Sequence, residues 1–301
     1  KLQKNWKYDS NDIKKLLETV NIIKIKYNIN YIQNYYKKLI INNMEDLLNI
    51  SGKKFKSRLM TGTGKHRSVK DLLESVKFSE TEIITVAIRR LDLDNPNEKT
   101  ILDHLDWGKY QILPNTAGSK TSEEAIFTAQ LAREVTGSNW IKIEVIPDPE
   151  YLLPDPIGTV QAAKELIRDG FVCLPYIGAD PVLAKILEDL GCATVMPLGS
   201  PIGSGKGVIT REEIQIIIEK SSIPVVVDAG LGVPSDASSV MEMGADAVLV
   251  NTAIAQAKNP GLMGKAFKEG VNAGRNAYLA GRIPIKSSAS ASSPTKGTIN
   301  S

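Results

Sequence analysis

Two residues of opposite charge stand two apart in an otherwise apolar run, Trp140-Ile141-Lys142-Ile143-Glu144-Val145-Ile146. In an extended strand that spacing turns Lys142 and Glu144 to one face and Ile141, Ile143 and Val145 to the other. The apolar set suits a covered outer face, which leaves an ammonium and a carboxylate on the inner one. Burial penalises the charged amine, so the sequence predicts a lowered Lys142 pKa and some free amine near neutrality. Such an amine attacks ketones and aldehydes to form an imine, and Glu144 with Asp228, at the end of a later apolar run, would move the protons. A Lys–Glu pair buried for packing alone is the alternative, although buried charges are costly and concentrate at functional sites.

The glycine-rich segments suggest a second chemistry. Asp228-Ala229-Gly230-Leu231-Gly232, followed by Pro234-Ser235-Asp236, and then Asn251-Thr252-Ala253, close the last two apolar runs. Backbone N–H groups and a helix start in such loops make a phosphate cradle. Gly199-Ser200-Pro201-Ile202-Gly203-Ser204-Gly205-Lys206-Gly207 imitates a nucleotide loop, but Lys206 is followed by Gly207 instead of Ser or Thr. We read it as a flexible loop over the sixth strand whose N–H groups reach a substrate. Gly62-Thr63-Gly64-Lys65 also lacks the nucleotide pattern, and Arg89-Arg90 reads either as an anion clamp or as an exposed strand-end pair.

The elements that must position these groups repeat one theme: a short β-branched run, a Gly, Asn, Asp or Pro loop, then an amphipathic stretch. The runs are Arg58 to Thr61, Glu82 to Ile88, Gln111 to Pro114, Trp140 to Ile146, Phe171 to Tyr176, Ala193 to Leu198, Pro224 to Asp228 and Ala247 to Val250. Nearly continuous Val, Ile and Leu is what parallel strands covered on both faces require. Helices are expected at Ser122 to Thr136, Ile157 to Asp169, Pro181 to Leu190, Arg211 to Lys220 and Ser235 to Met243, with Gly170, Gly191 and Gly244 beyond their ends. Eight such units predict an α/β fold of the (β/α)8 barrel type, with an open doubly wound sheet as the runner-up. The polar residues just described then fall at C-terminal strand ends, the working face of a barrel.

The chain of 301 residues is 42% hydrophobic and 24% charged with a formal net charge of +3, an ordinary globular composition. Two cysteines, Cys173 and Cys192, and two histidines, His66 and His104, are too few and too scattered for a zinc site or a disulfide framework. No metal or cofactor is expected. No run is long and apolar enough for a membrane span, the first residues lack a secretory apolar core, and no basic cluster interleaved with aromatics points to nucleic acid. Residues 1–43 are rich in Lys, Asn, Ile and Tyr without Gly or Pro, and read as an appendage. Met44 reads as an internal start or a boundary. The expected organisation is this extension, a catalytic barrel at 44–286 and a Ser-rich tail at 287–301.

Several longer motifs stand in order along the chain: Thr61-Gly62-Thr63-Gly64-Lys65, Asn95-Pro96-Asn97-Glu98-Lys99, Leu113-Pro114-Asn115-Thr116-Ala117-Gly118, Met196 to Gly205 and Val227-Asp228-Ala229-Gly230. Together they resemble those of bacterial and plastid thiazole synthase. The likeness runs from about Ile50 to Pro294. It implies a (β/α)8 transferase of thiamine biosynthesis that joins 1-deoxy-D-xylulose 5-phosphate, dehydroglycine (2-iminoacetate) and a sulfur-carrier protein thiocarboxylate into a thiazole phosphate. The family's imine-forming lysine falls on Lys142 and its acid/base carboxylates on Glu144 and Asp228. Its sugar-phosphate contacts fall on Gly203, Ala229, Gly230, Asn251 and Thr252. It also implies a homo-oligomer, dimer or tetramer, in plastid stroma or bacterial cytoplasm. Ser119, where relatives often carry cysteine, and the extension, which has no terminal Gly-Gly of a fused sulfur carrier, depart from the pattern. An imine-forming phosphosugar aldolase and a non-catalytic phosphosugar-binding scaffold are the competing readings.

Overall fold

The computed structural model describes residues 46–90 and 101–293; the 1–43 extension, Met44, the Asn95–Lys99 motif and Pro294 lie outside the described residues. Two short antiparallel strands come first, β1 (Leu48–Ile50) and β2 (Lys53–Phe55). Eight parallel strands follow: β3 (Leu59–Gly62), β4 (Ile83–Ala87), β5 (Gln111–Asn115), β6 (Trp140–Ile143), β7 (Val172–Ile177), β8 (Met196–Pro197), β9 (Val226–Asp228) and β10 (Ala247–Val250). β10 pairs with both β3 and β9, and bridges Val195–Val225 and Leu198–Asp228 join the β8 and β9 segments. The sheet therefore closes on itself in chain order, giving a (β/α)8 barrel instead of an open doubly wound sheet. β8 is shorter than its apolar run because Pro197 has no N–H to donate to the ladder.

The helices are α1 (Val69–Ser79), α2 (Ser122–Thr136), α3 (Pro156–Arg168), α4 (Pro181–Leu190), α5 (Arg211–Lys220), α6 (Pro234–Met243), α7 (Thr252–Ala255) and α8 (Pro260–Ala280). Side chains of Ser68, Thr121, Asp155, Asp180 and Asn259 accept backbone N–H bonds at the starts of α1, α2, α3, α4 and α8. Gly191 and Gly244 end α4 and α6 in left-handed backbone. Between β4 and β5 the described residues form two 3₁₀ turns, Ile88–Arg90 and Ile101–His104, and no α-helix.

Alternation along each strand divides the core. Ile141, Ile143 and Val145 join the apolar layer shared with α2, α3 and α4, as the period-2 reading requires. Inside the barrel, Met60, Ile83, Leu113, Leu174, Met196, Val226 and Leu249 pack with Leu48, Ile50 and Phe55 of the β1–β2 hairpin. The hairpin thus plugs the N-terminal end, and its Phe55 meets Trp140 of β6 edge to face at 5.9 Å between ring centroids. Above this dry floor the inward positions turn polar: Thr85, Asn115, Lys142, Glu144, Asp228 and Asn251. The described residues contain no helix long and apolar enough to cross a membrane. Residues 281–293 are exposed and carry no helix or strand.

Candidate active site

A cavity of about 400 Å³ opens above that floor at the C-terminal ends of the strands. Lys142, Glu144, Asp228, Gly203, Ala229, Gly230, Asn251 and Thr252, the full set expected from sequence, all line it. Glu144 sits one residue past the end of β6, where Thr116 holds it on both sides. The Thr116 hydroxyl donates to the Glu144 carbonyl at 2.7 Å and accepts its N–H at 2.8 Å. This clip extends the β5–β6 pairing and keeps the Glu144 side chain inward.

Lys142 is buried, and its Nζ lies 2.5 Å from Asp228 Oδ2 and 3.1 Å from Glu144 Oε1. The sequence predicts a lowered lysine pKa, and the structure corrects that. Burial does act to lower it and is the largest single influence, but the combined attraction of Asp228 and Glu144 outweighs it. Lys142 therefore rests as an ammonium, its pKa above the ordinary lysine value. Its nucleophilic form arises only if one of these carboxylates takes its proton. The Tyr176 ring lies beside it, centroid 5.5 Å from Nζ. Burial, reinforced by the charges of Asp228 and Glu144, pushes the Tyr176 phenol up, so it stays protonated.

The glycine-rich rim differs from expectation in its donors. At the start of α6, the Asp236 carboxylate already accepts the N–H groups of Gly232 and Val233 at 2.8 and 3.1 Å. Two loop N–H groups just ahead of that helix are thereby taken up by its own side chain instead of facing the cavity as free donors. Ala229 and Gly230 turn the chain through two successive left-handed residues, φ 73° and 78°. A Cβ at Gly230 would lie 2.6 Å from the Ser200 carbonyl oxygen, so only glycine fits this crossing. The 199–207 loop is pinned here too, with Gly207 N–H donating to Gly230 O at 2.9 Å. With its amide oriented to suit its neighbours, Asn251 donates to the carbonyls of Gly62 and Gly64 at 3.1 and 3.0 Å. The Asn251 side chain thereby ties the end of β10 to the end of β3. Arg89 is not an anion clamp: it donates to Gly118 O at 2.8 Å and pairs with Glu124 at 3.1 Å, away from the cavity. The Arg90 side chain lies outside the described residues. No group of three or more acidic, His or Cys side chains among the described residues is arranged for a metal.

The family model for thiazole biosynthesis protein ThiG matches residues 49–294. The chain belongs to the ThiG family. Among ThiG relatives, a thiazole synthase from Thermosynechococcus vestitus is 58% identical over 258 residues, 84% of this chain and 93% of that one. A bifunctional protein ThiO/ThiG from Nostoc sp. is 55% identical over 282 residues, which is 92% of this chain but 43% of that longer protein. The chain thus spans less than half the length of such bifunctional relatives. A solved structure titled as the Amycolatopsis orientalis BexX/CysO complex superposes with a TM-score of 0.72 at 31% identity, covering 80% of this chain and 98% of that one.

Within this ThiG barrel, Thr63, Lys65, Thr85 and Asn115 also line the cavity without having been assigned a role from sequence. Asn115 donates to the Thr85 hydroxyl at 3.0 Å and accepts the Ala117 N–H at 3.2 Å. Their signal was present in the polar strand ends. What singles out these residues is which side chains converge, and that depends on barrel closure.

Proposed function

We infer that this chain is a thiazole synthase, which condenses 1-deoxy-D-xylulose 5-phosphate, dehydroglycine and the thiocarboxylate of a sulfur-carrier protein through an imine on Lys142. The observation that carries this reading is a buried lysine between two carboxylates at the floor of an open cavity, in a chain of the ThiG family.

The geometry supports the following roles. As the sugar C2 carbonyl approaches, Asp228, the nearer carboxylate, takes a proton from the Lys142 ammonium, and the freed amine adds to C2. The carbinolamine then loses water, with that proton returned to the departing hydroxyl. The resulting iminium acidifies the C3 hydrogen. Glu144 or Asp228 removes it and reprotonates C2, which leaves an amine on C2 and the carbonyl at C3. Sulfur from the thiocarboxylate enters at C3 with release of the carrier as its carboxylate, and condensation with dehydroglycine displaces the Lys142 amine from C2 and closes the ring with loss of water. The cavity opens at the strand ends, so the tail of a carrier protein has a way in. That the similar solved structure is a complex of two differently named components supports a protein partner.

Borohydride reduction of the protein with 1-deoxy-D-xylulose 5-phosphate, followed by intact mass and peptide mapping, tests the reading without sulfur donor or dehydroglycine. A reduced adduct on Lys142 that vanishes in Lys142→Ala is expected. Binding without any adduct would move the assignment to a phosphosugar scaffold. Cleavage of the sugar's carbon chain would move it to an aldolase.

A further inference from the structure

Four ionisable side chains line the cavity among the described residues, and three are engaged with one another: Lys142 pairs with Glu144 and Asp228. One ammonium against two carboxylates leaves that cluster with a single net negative charge, a poor welcome for an anionic substrate. The fourth is Lys65, which makes no ion pair or hydrogen bond within the described residues. Its ammonium stands at the glycine-rich rim. A Cβ on Gly203 would sit 3.2 Å from Lys65 Nζ and 3.7 Å from Thr252 Oγ1.

The backbone beneath Lys65 strengthens the point. Lys65 has φ 67°, a left-handed conformation that glycine or asparagine adopts at less cost. The turn carrying it is held from two sides. Asn251 donates to Gly62 O and Gly64 O, while His66 lies 3.3 Å from Thr63 O through Nδ1 and 2.9 Å from Ser75 Oγ through Nε2. A lysine kept in strained backbone, on a turn fastened from both sides and aimed at the rim, has a use for its side chain.

We propose that Lys65 is the electrostatic anchor for the phosphate monoester of the substrate, holding it against Gly203 and Thr252 while the ketone end reaches Lys142. This rests on the sugar-phosphate reading above and adds the one cation in the lining, among the described residues, that is not already paired.

The test compares wild type with Lys65→Asn, which removes the charge yet tolerates left-handed backbone, and with Lys65→Arg, which keeps the charge. Calorimetry with 1-deoxy-D-xylulose 5-phosphate, the unphosphorylated sugar and inorganic phosphate reads three affinities for each. Lys65→Asn is expected to weaken both phosphate-bearing ligands by roughly ten- to a hundredfold. The unphosphorylated sugar should bind as before, and Lys65→Arg should recover most of the loss. Phosphate affinities equal in wild type and Lys65→Asn overturn the anchor and leave the imine reading standing. An equal loss for the phosphorylated and unphosphorylated sugars also overturns it, since that marks a distorted loop and not a lost charge. A wild type that binds phosphate through Lys65 but yields no trapped adduct with the sugar phosphate overturns the imine reading and keeps the anchor. A wild type with no measurable affinity for any phosphate-bearing ligand overturns the anchor as well.

Discussion

Lys142 Nζ and Asp228 Oδ2 are 2.5 Å apart although their strands, β6 and β9, are separated around the barrel wall by β7 and β8. The contact crosses the interior, and it sets the resting charge of the central amine. In the imine mechanism proposed above, attack by Lys142 is therefore coupled from the outset to proton acceptance by a carboxylate.

Asp228→Asn removes the nearer of the two charges that hold Lys142 protonated and leaves burial in place. The Lys142 pKa should fall, so modification by an amine-selective reagent, followed by peptide mass spectrometry across pH, should begin at lower pH than in wild type. Turnover should nevertheless drop by about 10²- to 10⁴-fold, because a proton carrier has been lost. An unchanged modification profile would show that Asp228 does not control the amine.

Lys142→Met strands two buried carboxylates without a counter-charge. Urea unfolding at pH 7 should show a loss of about 3–5 kcal/mol. The loss should shrink in acid as the carboxylates become neutral, and the triple variant with Glu144→Gln and Asp228→Asn should regain much of it. In wild type the raised lysine pKa acts in the opposite window. The ion-pair stabilisation is fully present below the ordinary value of 10.5 and disappears as pH rises through the higher folded value. A Lys142→Met loss that stays constant from pH 7 into acid would argue against charge as its cause.

Gly230→Ala places a Cβ against Ser200 on a left-handed backbone. It should lower stability by about 2–3 kcal/mol and raise the KM for the sugar phosphate. Gly52→Ala is the control, since Gly52 also has positive φ, 81°, but nothing lies within 4 Å of the added carbon. Its cost should be about 1 kcal/mol, with KM unchanged. Equal melting shifts for the two variants would remove the packing argument at Ser200.

Asn251→Asp should be worse than Asn251→Ala. The amide donates to two carbonyl oxygens, so a carboxylate would confront acceptors with acceptors, whereas alanine only forfeits the bonds. Both variants should raise the KM for the phosphorylated sugar by loosening the turn that carries Lys65, with aspartate the larger by roughly tenfold. The reverse order would mean that the Asn251 oxygen, and not its nitrogen, faces that turn.

The ThiG fold was legible because parallel strands buried on both faces leave continuous Val/Ile/Leu runs. The eight runs became β3 to β10, and α2, α4 and α5 have the bounds expected from their caps and periodicity. The β1–β2 hairpin escaped notice, since its three-residue strands are too short to show a period and their apolar residues become meaningful only as a plug. Of the two readings of Arg89, the exposed strand-end one holds, with its guanidinium spent on Gly118 and Glu124, partners that the chain brings near only on folding.

Local pattern alone determined that Lys142 and Glu144 share an inward face and that Asp228 ends an apolar strand, because alternation is a property of the extended backbone. Tertiary structure decided what those groups are. Barrel closure puts Asp228 and Glu144 against the lysine, and opposing charges within a few ångströms outweigh the burial that sequence reasoning counted by itself. The same closure lets Asn251, at the end of β10, fasten the Lys65 turn at the end of β3. A pKa or a free charge depends on distances between residues far apart in the chain, and a linear pattern carries none of those distances.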